Sequence, residues 1–376
     1  MGLLAHHRRW WGIIAFVALL LPLLAQSLQT PQTVSEREAR TLAPWPAAPR
    51  TLAEVSPWPR AVDKYLGDHF GLRDLMVRGN ALLRYALWSP TDSLVVFGKG
   101  RFLFFDGDAM MAQSMGLLRR EAEIATFADF AAGLHARLRA RGADFVVAIP
   151  PNSATIMRSE LPRWARATRT PTEYDLMLQV LTARGVPVAD LRPPLLHAGN
   201  DNPTYRRTDT HWNRLGSLLA FNATVVALKR SDWAIDPARV FRDFEAAPAG
   251  DLARMLGVSA DIADREARID LSSYDQPHGQ VTAIDTLRET GGDLVETGRA
   301  GPTVVVLGDS FTRYYWQDAF TLHAGRYVWI HHELCDFVPE IAERYRPDIV
   351  VLAPTERFMF CWNLTQNTEK QAAAER

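Results

Sequence analysis

The stretch Val304-Val305-Val306-Leu307-Gly308-Asp309-Ser310-Phe311 constrains this chain more than any other. Four apolar residues, most of them β-branched, suit a strand buried on both faces, as in a parallel sheet. The run ends in Gly-Asp-Ser, and a helix-compatible segment follows from Thr312 to Phe320. Such a strand delivers a serine to the carboxyl edge of the sheet, at the first turn of a helix. Backbone N–H groups left free there can stabilise an oxyanion. Gly308 lets the chain turn sharply, and Ser310 is the candidate nucleophile.

The rest of the chain alternates in the way such a sheet requires. Strand-like runs lie at Asp144–Ile149, Val186–Leu191, Tyr327–Ile330 and Asp348–Leu352, and helical segments at Ala112–Arg141, Thr172–Arg184 and Asn213–Arg230. The order predicts an α/β fold, three layers around a mainly parallel sheet with crossovers on both faces. Asn152, Ser310 and Thr355-Glu356-Arg357 follow strands directly, where active groups of such sheets collect. Upstream, Trp58–Leu87 reads as amphipathic helix and Val95–Phe104 as a hairpin. Residues 231–300 are polar, turn-rich and weakly periodic, and are expected to form an insertion that makes a flap or wall over the site.

Charge and address narrow the function classes. With 42 basic and 43 acidic residues there is no reason to expect a nucleic-acid partner. Trp10 to Ala25 is uncharged, Arg8 and Arg9 precede it, and no acidic residue occurs before Glu36. That is an export-signal pattern, oriented with its N-terminus in the cytoplasm. The run is short of the roughly 20 residues that cross a bilayer comfortably, and Ala25-Gln26-Ser27 resembles a cleavage site. Residues 1–30 are therefore read as a signal anchor or a signal peptide, 31–60 as a linker, and 61–376 as the catalytic domain. Cys335 and Cys361 could pair in an oxidising compartment or stay free. His331-His332 beside Cys335 lacks a spaced ligand set, so no metal is expected.

A serine nucleophile needs a base and a group that orients the base. Thr208-Asp209-Thr210-His211-Trp212 offers both. In an extended segment, residues i and i+2 project to the same side, so Asp209 can bond the His211 imidazole. Taken alone, Asp-x-His is also what a capping aspartate and a surface histidine look like. Its conjunction with Gly-Asp-Ser, each at the start of a helix in one α/β domain, is much more specific.

Thr-Asp-Thr-His-Trp-Asn followed downstream by Gly-Asp-Ser-Phe resembles the SGNH-hydrolase-like polysaccharide O-acetyltransferases, the alginate acetylation proteins AlgJ and AlgX. The likeness extends to Phe70-Gly71-Leu72-Arg73, Val96-Phe97-Gly98-Lys99-Gly100, Gly250-Asp251-Leu252 and Pro347-Asp348-Ile349-Val350-Val351 with Glu356-Arg357. The Asp-x-His that precedes the serine, a permuted motif order relative to ordinary SGNH esterases, is its most specific mark. The resemblance implies a periplasmic enzyme held at the bacterial inner membrane by its N-terminal hydrophobic helix. Ser310 would be the nucleophile, His211 the base and Asp209 its orienter, with no cofactor. It also implies a polysaccharide acceptor and a multipass membrane acyltransferase as acetyl donor. The ordinary SGNH oxyanion blocks are not identifiable. The Ser310 N–H is the first oxyanion donor, and Asn152, Tyr314 or Arg357 the second. Arg313, Tyr314 and Tyr315 could bind acyl donor or sugar, and Tyr205, Trp212 and Trp316 could stack on sugar rings, although buried aromatics are more often core. An acetyl esterase and a non-catalytic glycan-binding scaffold are the alternatives, and the polymer is left open.

Overall fold

The computed structural model describes residues 33–35, 40–87, 94–198, 202–274, 281–284, 291–313, 315–332 and 343–360, with parts of 10–25. Tyr314, Cys335 and Cys361 lie outside the described residues. No helix among the described residues is long and apolar enough to cross a membrane. The chain divides into two compact units, Met1–Asp92 with Ala253–Ile262, and Ser93–Leu252 with Ala263–Arg376.

The first unit carries a short hairpin (β1, Val34–Ser35; β2, Arg40–Thr41) and two helices, α1 (Trp58–Asp68) and α2 (Arg73–Ala86). The single helix expected over 58–87 is therefore two, because α1 stops where the His69 N–H bonds the Tyr65 carbonyl. Arg78 Nε donates to Asp261 Oδ1 at 2.7 Å, tying the 253–262 segment to α2.

In the second unit, β3 (Val95–Phe97) and β4 (Leu103–Phe105) form the expected hairpin. The main sheet uses β5 (Asp144–Ala148), β6 (Val188–Ala189), β9 (Val281–Ile284), β10 (Gly292–Glu296), β11 (Thr303–Gly308), β12 (Arg326–His331) and β13 (Ile349–Ala353). Their order is β6-β5-β13-β11-β12-β10-β9. The pairs from β6 to β12 are parallel; β10 and β9 are antiparallel. The sheet is thus mainly parallel, with β11 at its centre.

Alternation along β11 assigns the two layers, since strand side chains point to opposite faces in turn. Val304 and Val306 join a core with Val351, Trp329 and helices α5 (Arg214–Ala227) and α7 (Trp316–Phe320). Val305 and Leu307 join the opposite core with Val350, Val328 and helices α3 (Glu121–Ala140) and α4 (Glu173–Ala183). Caps fix where the helices start: Thr172 and Asp175 form a capping box on α4, and Asn213 Oδ1 accepts the Gly216 N–H on α5.

Residues 231–300, expected as a flap or wall, contain regular strands that the sequence reading did not anticipate. Phe241–Pro248 (β7) pairs with Ala263–Ile269 (β8) as an antiparallel ribbon, while β9 and β10 complete the main sheet. The ribbon is mostly exposed and charged, with Arg268 paired to Asp243 and Arg242 to Asp270, so it lacks the apolar period that marks a buried strand. The helix expected over 112–141 divides into a short helix, Met110–Ser114, and α3 from Glu121, with a turn through Gly116 between them. That expected from Thr312 divides into α6 (Ser310–Arg313) and α7.

Leu307 is fully buried, packed in the layer that carries α3 and α4. Leu307→Ala is expected to cost about 2–5 kcal/mol, read as a lower denaturant midpoint. An unchanged midpoint would contradict this placement of β11.

Candidate active site

The register of three neighbouring strands builds the floor. Gly308 on β11 is paired with His331 on β12 and with Ala353 on β13, so Asp309, His332 and Thr355 emerge along one edge. Gly308 is needed for space: a Cβ there would overlap the Thr312 hydroxyl. Its φ is not among the positive values, so the expected sharp turn is a close approach instead.

Asp309 anchors the turn. Oδ1 accepts the Phe311 N–H at 3.0 Å, and Oδ2 accepts the Thr355 N–H at 2.9 Å and the Thr355 hydroxyl at 2.6 Å. Burial pushes this carboxyl up, but His332, Arg357 and Thr355 outweigh burial and hold it well below the usual carboxylate range. Ser310 therefore opens α6 from a fixed point, with its side chain exposed and its N–H without an intrahelical acceptor.

The second loop meets it across 99 residues of sequence. His211 Nε2 lies 2.7 Å from Ser310 Oγ, and Nδ1 lies 2.6 Å from Asp209 Oδ1. An ionised Asp209 accepts, so Nδ1 carries the proton and Nε2 accepts from the serine hydroxyl. The 206–211 segment is a bend closed by a Tyr205–Trp212 bridge, unlike the extended loop segment expected. Asp209 Oδ1 also accepts the His211 N–H at 3.0 Å, an Asx-type turn that brings the pair together. Asp209 Oδ2 is paired with Arg206 Nη1 at 3.2 Å. Burial raises the Asp209 carboxyl, but bonding to His211 and the charge of Arg206 bring it down to about 2. It stays ionised through the neutral range.

Two carboxylates from the 231–300 segment hold this loop, and the sequence reading missed them. Asp264 accepts the Thr208 N–H at 2.8 Å, and Asp251 accepts the Thr210 N–H at 2.8 Å and its hydroxyl at 2.6 Å. The only signal was Gly250-Asp251-Leu252. Gly250 has a steric role, since a Cβ there would overlap the Asp209 carboxylate. Donor atoms of Asp209, His211 and Asp251 lie within 4.8 Å of one another, as a cation site requires. Here Asp209 is bonded to His211, and Asp251 to Thr210.

The other expected site residues sort by burial and partner. Trp212, Tyr205 and Trp316 are fully buried and offer no open face to a sugar, which corrects the stacking role. Trp212 instead positions: its Nε1–H donates to the Phe311 carbonyl at 2.9 Å, joining the residue after His211 to the residue after Ser310. Asn152 is buried in a separate network, with Nδ2 bonded to Gln113 and its N–H to Glu356, which corrects its assignment as an oxyanion donor. Arg313 is held by Asp293 at 2.8 Å, so it is not free for substrate. Arg357 is buried, its guanidinium 5.3 Å over the Phe311 ring, and its Nη1 has no hydrogen-bond partner among the described residues. Of the described side chains considered for oxyanion support, Arg357 keeps a donor to give and Asn152 does not.

Chemically, this arrangement can take a proton from Ser310 Oγ, hold the resulting imidazolium against an ionised carboxylate, and attack an acyl carbon. Gly250→Ala is expected to slow the reaction of Ser310 with a sulfonyl fluoride roughly 100-fold by moving Asp209, as read by intact mass. An unchanged rate with an intact fold would show that Asp209 tolerates the methyl. Glu356 gives a second test. Burial raises its carboxyl to about 7 against bonds from Asn152 and Thr155. A raised folded-state pKa means stability that is full below the unfolded value of 4.5 and lost as pH rises through about 7. Relative to Glu356→Gln, the native chain should lose on the order of 3 kcal/mol between pH 4.5 and 8, read from denaturant midpoints.

The chain is similar to several known proteins. The model of the SGNH hydrolase-like domain of acetyltransferase AlgX matches residues 95–326. A probable alginate O-acetylase AlgJ of Pseudomonas aeruginosa is 28% identical over 157 residues, 42% of this chain and 39% of that protein. The corresponding protein of Pseudomonas syringae pv. tomato is 23% identical over 289 residues, 73% of this chain and 68% of its own length. The first alignment thus spans well under half of its relative. The solved O-acetyltransferase domain of Pseudomonas putida AlgJ aligns with TM-score 0.47 at 18% identity, over 71% of this chain and 92% of that one. A DHHW family protein from Eubacterium siraeum aligns with TM-score 0.48 at 14% identity, over 64% and 88%. With the family match running from the β3 hairpin to the start of β12, the chain belongs to the SGNH hydrolase-like domain family of the acetyltransferase AlgX.

Proposed function

We propose that this protein is a serine-dependent O-acetyltransferase that moves an acetyl group through Ser310 onto hydroxyls of an exported polysaccharide. The observation that carries the reading is the hydrogen-bonded chain from Asp209 through His211 to Ser310, at 2.6 and 2.7 Å. Relatives named for alginate acetylation support the acceptor class. The apolar run from Trp10 to Ala25 after Arg8 and Arg9 supports export to the periplasm and attachment at the inner membrane. A multipass membrane acyltransferase is the proposed source of the acetyl group.

In the first step His211 Nε2 takes the Ser310 proton as Oγ attacks the carbonyl carbon of an acetyl ester. The Ser310 N–H and Arg357 stabilise the oxyanion. Collapse breaks the bond to the donor oxygen, which leaves with the proton from His211, and acetyl-serine forms. In the second step a sugar hydroxyl gives its proton to His211 and attacks that ester. Ser310 Oγ leaves and recovers the proton. Asp209 stays ionised throughout and stabilises the imidazolium.

Hydrolysis is the competing outcome, favoured by the exposure of Ser310, which admits water as acceptor. The test incubates the full chain with a small acetyl ester, with and without oligosaccharides, and follows both products by mass spectrometry. Acetylated oligosaccharide is expected, lowered at least 10³-fold in Ser310→Ala and His211→Ala. Acetate release indifferent to any sugar would replace the transferase with an esterase, and no acetyl-serine from any ester would sink both.

A further inference from the structure

The imidazole of His211 meets two carboxylates. Asp209 Oδ1 is the near one, 2.6 Å from Nδ1, and Asp251 Oδ2 lies 3.9 Å from the same nitrogen. Thr210 stands between Asp251 and the ring. Its hydroxyl donates to Asp251 Oδ2 at 2.6 Å, and its oxygen lies 3.3 Å from Nδ1. A hydroxyl that donates to a carboxylate is polarised, which makes its oxygen a better acceptor for the Nδ1 proton. The Thr210 N–H is bonded to Asp251 Oδ1 at 2.8 Å, so one carboxylate holds both the backbone and the side chain of that residue.

The two carboxylates differ in what else they serve. Asp209 gives its other oxygen to Arg206 at 3.2 Å, a guanidinium that also lies 3.9 Å from Asp264 and from Glu266. Asp251 has no Arg or Lys within ion-pair distance among the described residues. Part of the Asp209 charge is thus answered by a cation before any imidazolium forms, while the Asp251 charge is not. A second cation stands near the ring: Arg357 lies 5.3 Å over Phe311, whose ring is centred 4.9 Å from that of His211. Its charge opposes an imidazolium and adds to the need for negative charge on the Nδ1 side.

We propose that Asp251 is a second positioning carboxylate of the base. Through the Thr210 hydroxyl it holds the ring, and with its own charge it stabilises an imidazolium that Asp209, shared with Arg206, would stabilise less well alone. Protons on this side of the ring stay in place: Nδ1 and Thr210 keep theirs, and only Nε2 gains the Ser310 proton. The inference rests on the reading of His211 as the base of Ser310, but its test does not depend on acetyl transfer.

The test is the reaction of the full chain with phenylmethylsulfonyl fluoride, in which Ser310 Oγ bonds sulfur, fluoride leaves and His211 takes the proton. Rates are followed by intact mass. Asp251→Asn keeps an oxygen for the Thr210 N–H and removes the charge, while Thr210→Val keeps that N–H and removes the hydroxyl. Each should lower the limiting rate roughly tenfold at unchanged affinity for the reagent, with melting curves verifying the fold. In an Asp209→Asn chain, adding Asp251→Asn should lower the residual rate roughly 100-fold, because no carboxylate then faces the ring. A carboxylate that only braced the loop would cost the same in both backgrounds. A native rate in either single variant, an equal cost in both backgrounds, or an Asp209→Asn chain with no residual rate would overturn the inference. Dependence of sulfonylation on Asp251 in a protein that transfers no acetyl group would overturn the proposed function and leave the second carboxylate standing.

Discussion

The arrangement depends first on a buried carboxylate that touches neither proton nor substrate in the proposed reaction. Asp309 is 4% exposed, and its cost in desolvation is offset by three hydrogen bonds and by His332 and Arg357 nearby. Those bonds join the Ser310 turn on β11 to the first residues after β13. A serine hydroxyl has little intrinsic preference for one rotamer, so its aim is set by the backbone that carries it. Fixing that backbone to the neighbouring strand lets a parallel register, stabilised mainly by apolar burial, control the position of an oxygen atom.

The Asp209 carboxylate solves a different problem on the facing loop. It too is buried, yet one of its oxygens is given to His211 and the other to Arg206. The pairing keeps it charged, and the charge keeps the imidazole in the tautomer whose Nε2 can accept. Loop 206–211 has no regular structure to stiffen it. Asp251, Asp264 and the Trp212 indole do so, the last by bonding across to Phe311. Two junctions far apart in sequence are thereby held at hydrogen-bond distance by side chains that never meet the substrate.

Much of this was legible in the sequence, for identifiable reasons. The apolar residues within 144–149, 303–307 and 348–352 are buried on both faces, and their shortness and β-branched content favour strand over helix. The Asp209, His211 and Ser310 chain was legible because each residue type has one use in that chemistry. The charged ribbon of β7 and β8 was not legible, since its strands face solvent and hide their period under Arg, Asp and Glu. Asp251, Asp264 and Glu266 were missed with it. A carboxylate that bonds backbone N–H groups of a distant loop looks, in sequence, like any surface acid. The aromatic side chains erred in the other direction: Trp212 and Trp316 sit beside the site in sequence but pack inward, because an indole buries a large apolar area once its N–H has found a carbonyl.

Under the proposed function, an exposed serine must favour a sugar over water. The triad geometry gives no preference, since any hydroxyl that reaches His211 can be deprotonated. In the proposed reaction, preference has to come from holding one acceptor beside the acetylated Ser310, and well-oriented groups react as though at concentrations of up to 10⁵–10⁸ M, far above that of bulk water. The ribbon segment touches both junctions of the site. It holds the base through Asp251 and Asp264, and through Glu266 it bonds the Tyr315 hydroxyl. A change in this segment that repositions the acceptor would therefore shift the balance between transfer and hydrolysis while leaving the Asp209, His211 and Ser310 distances as they are.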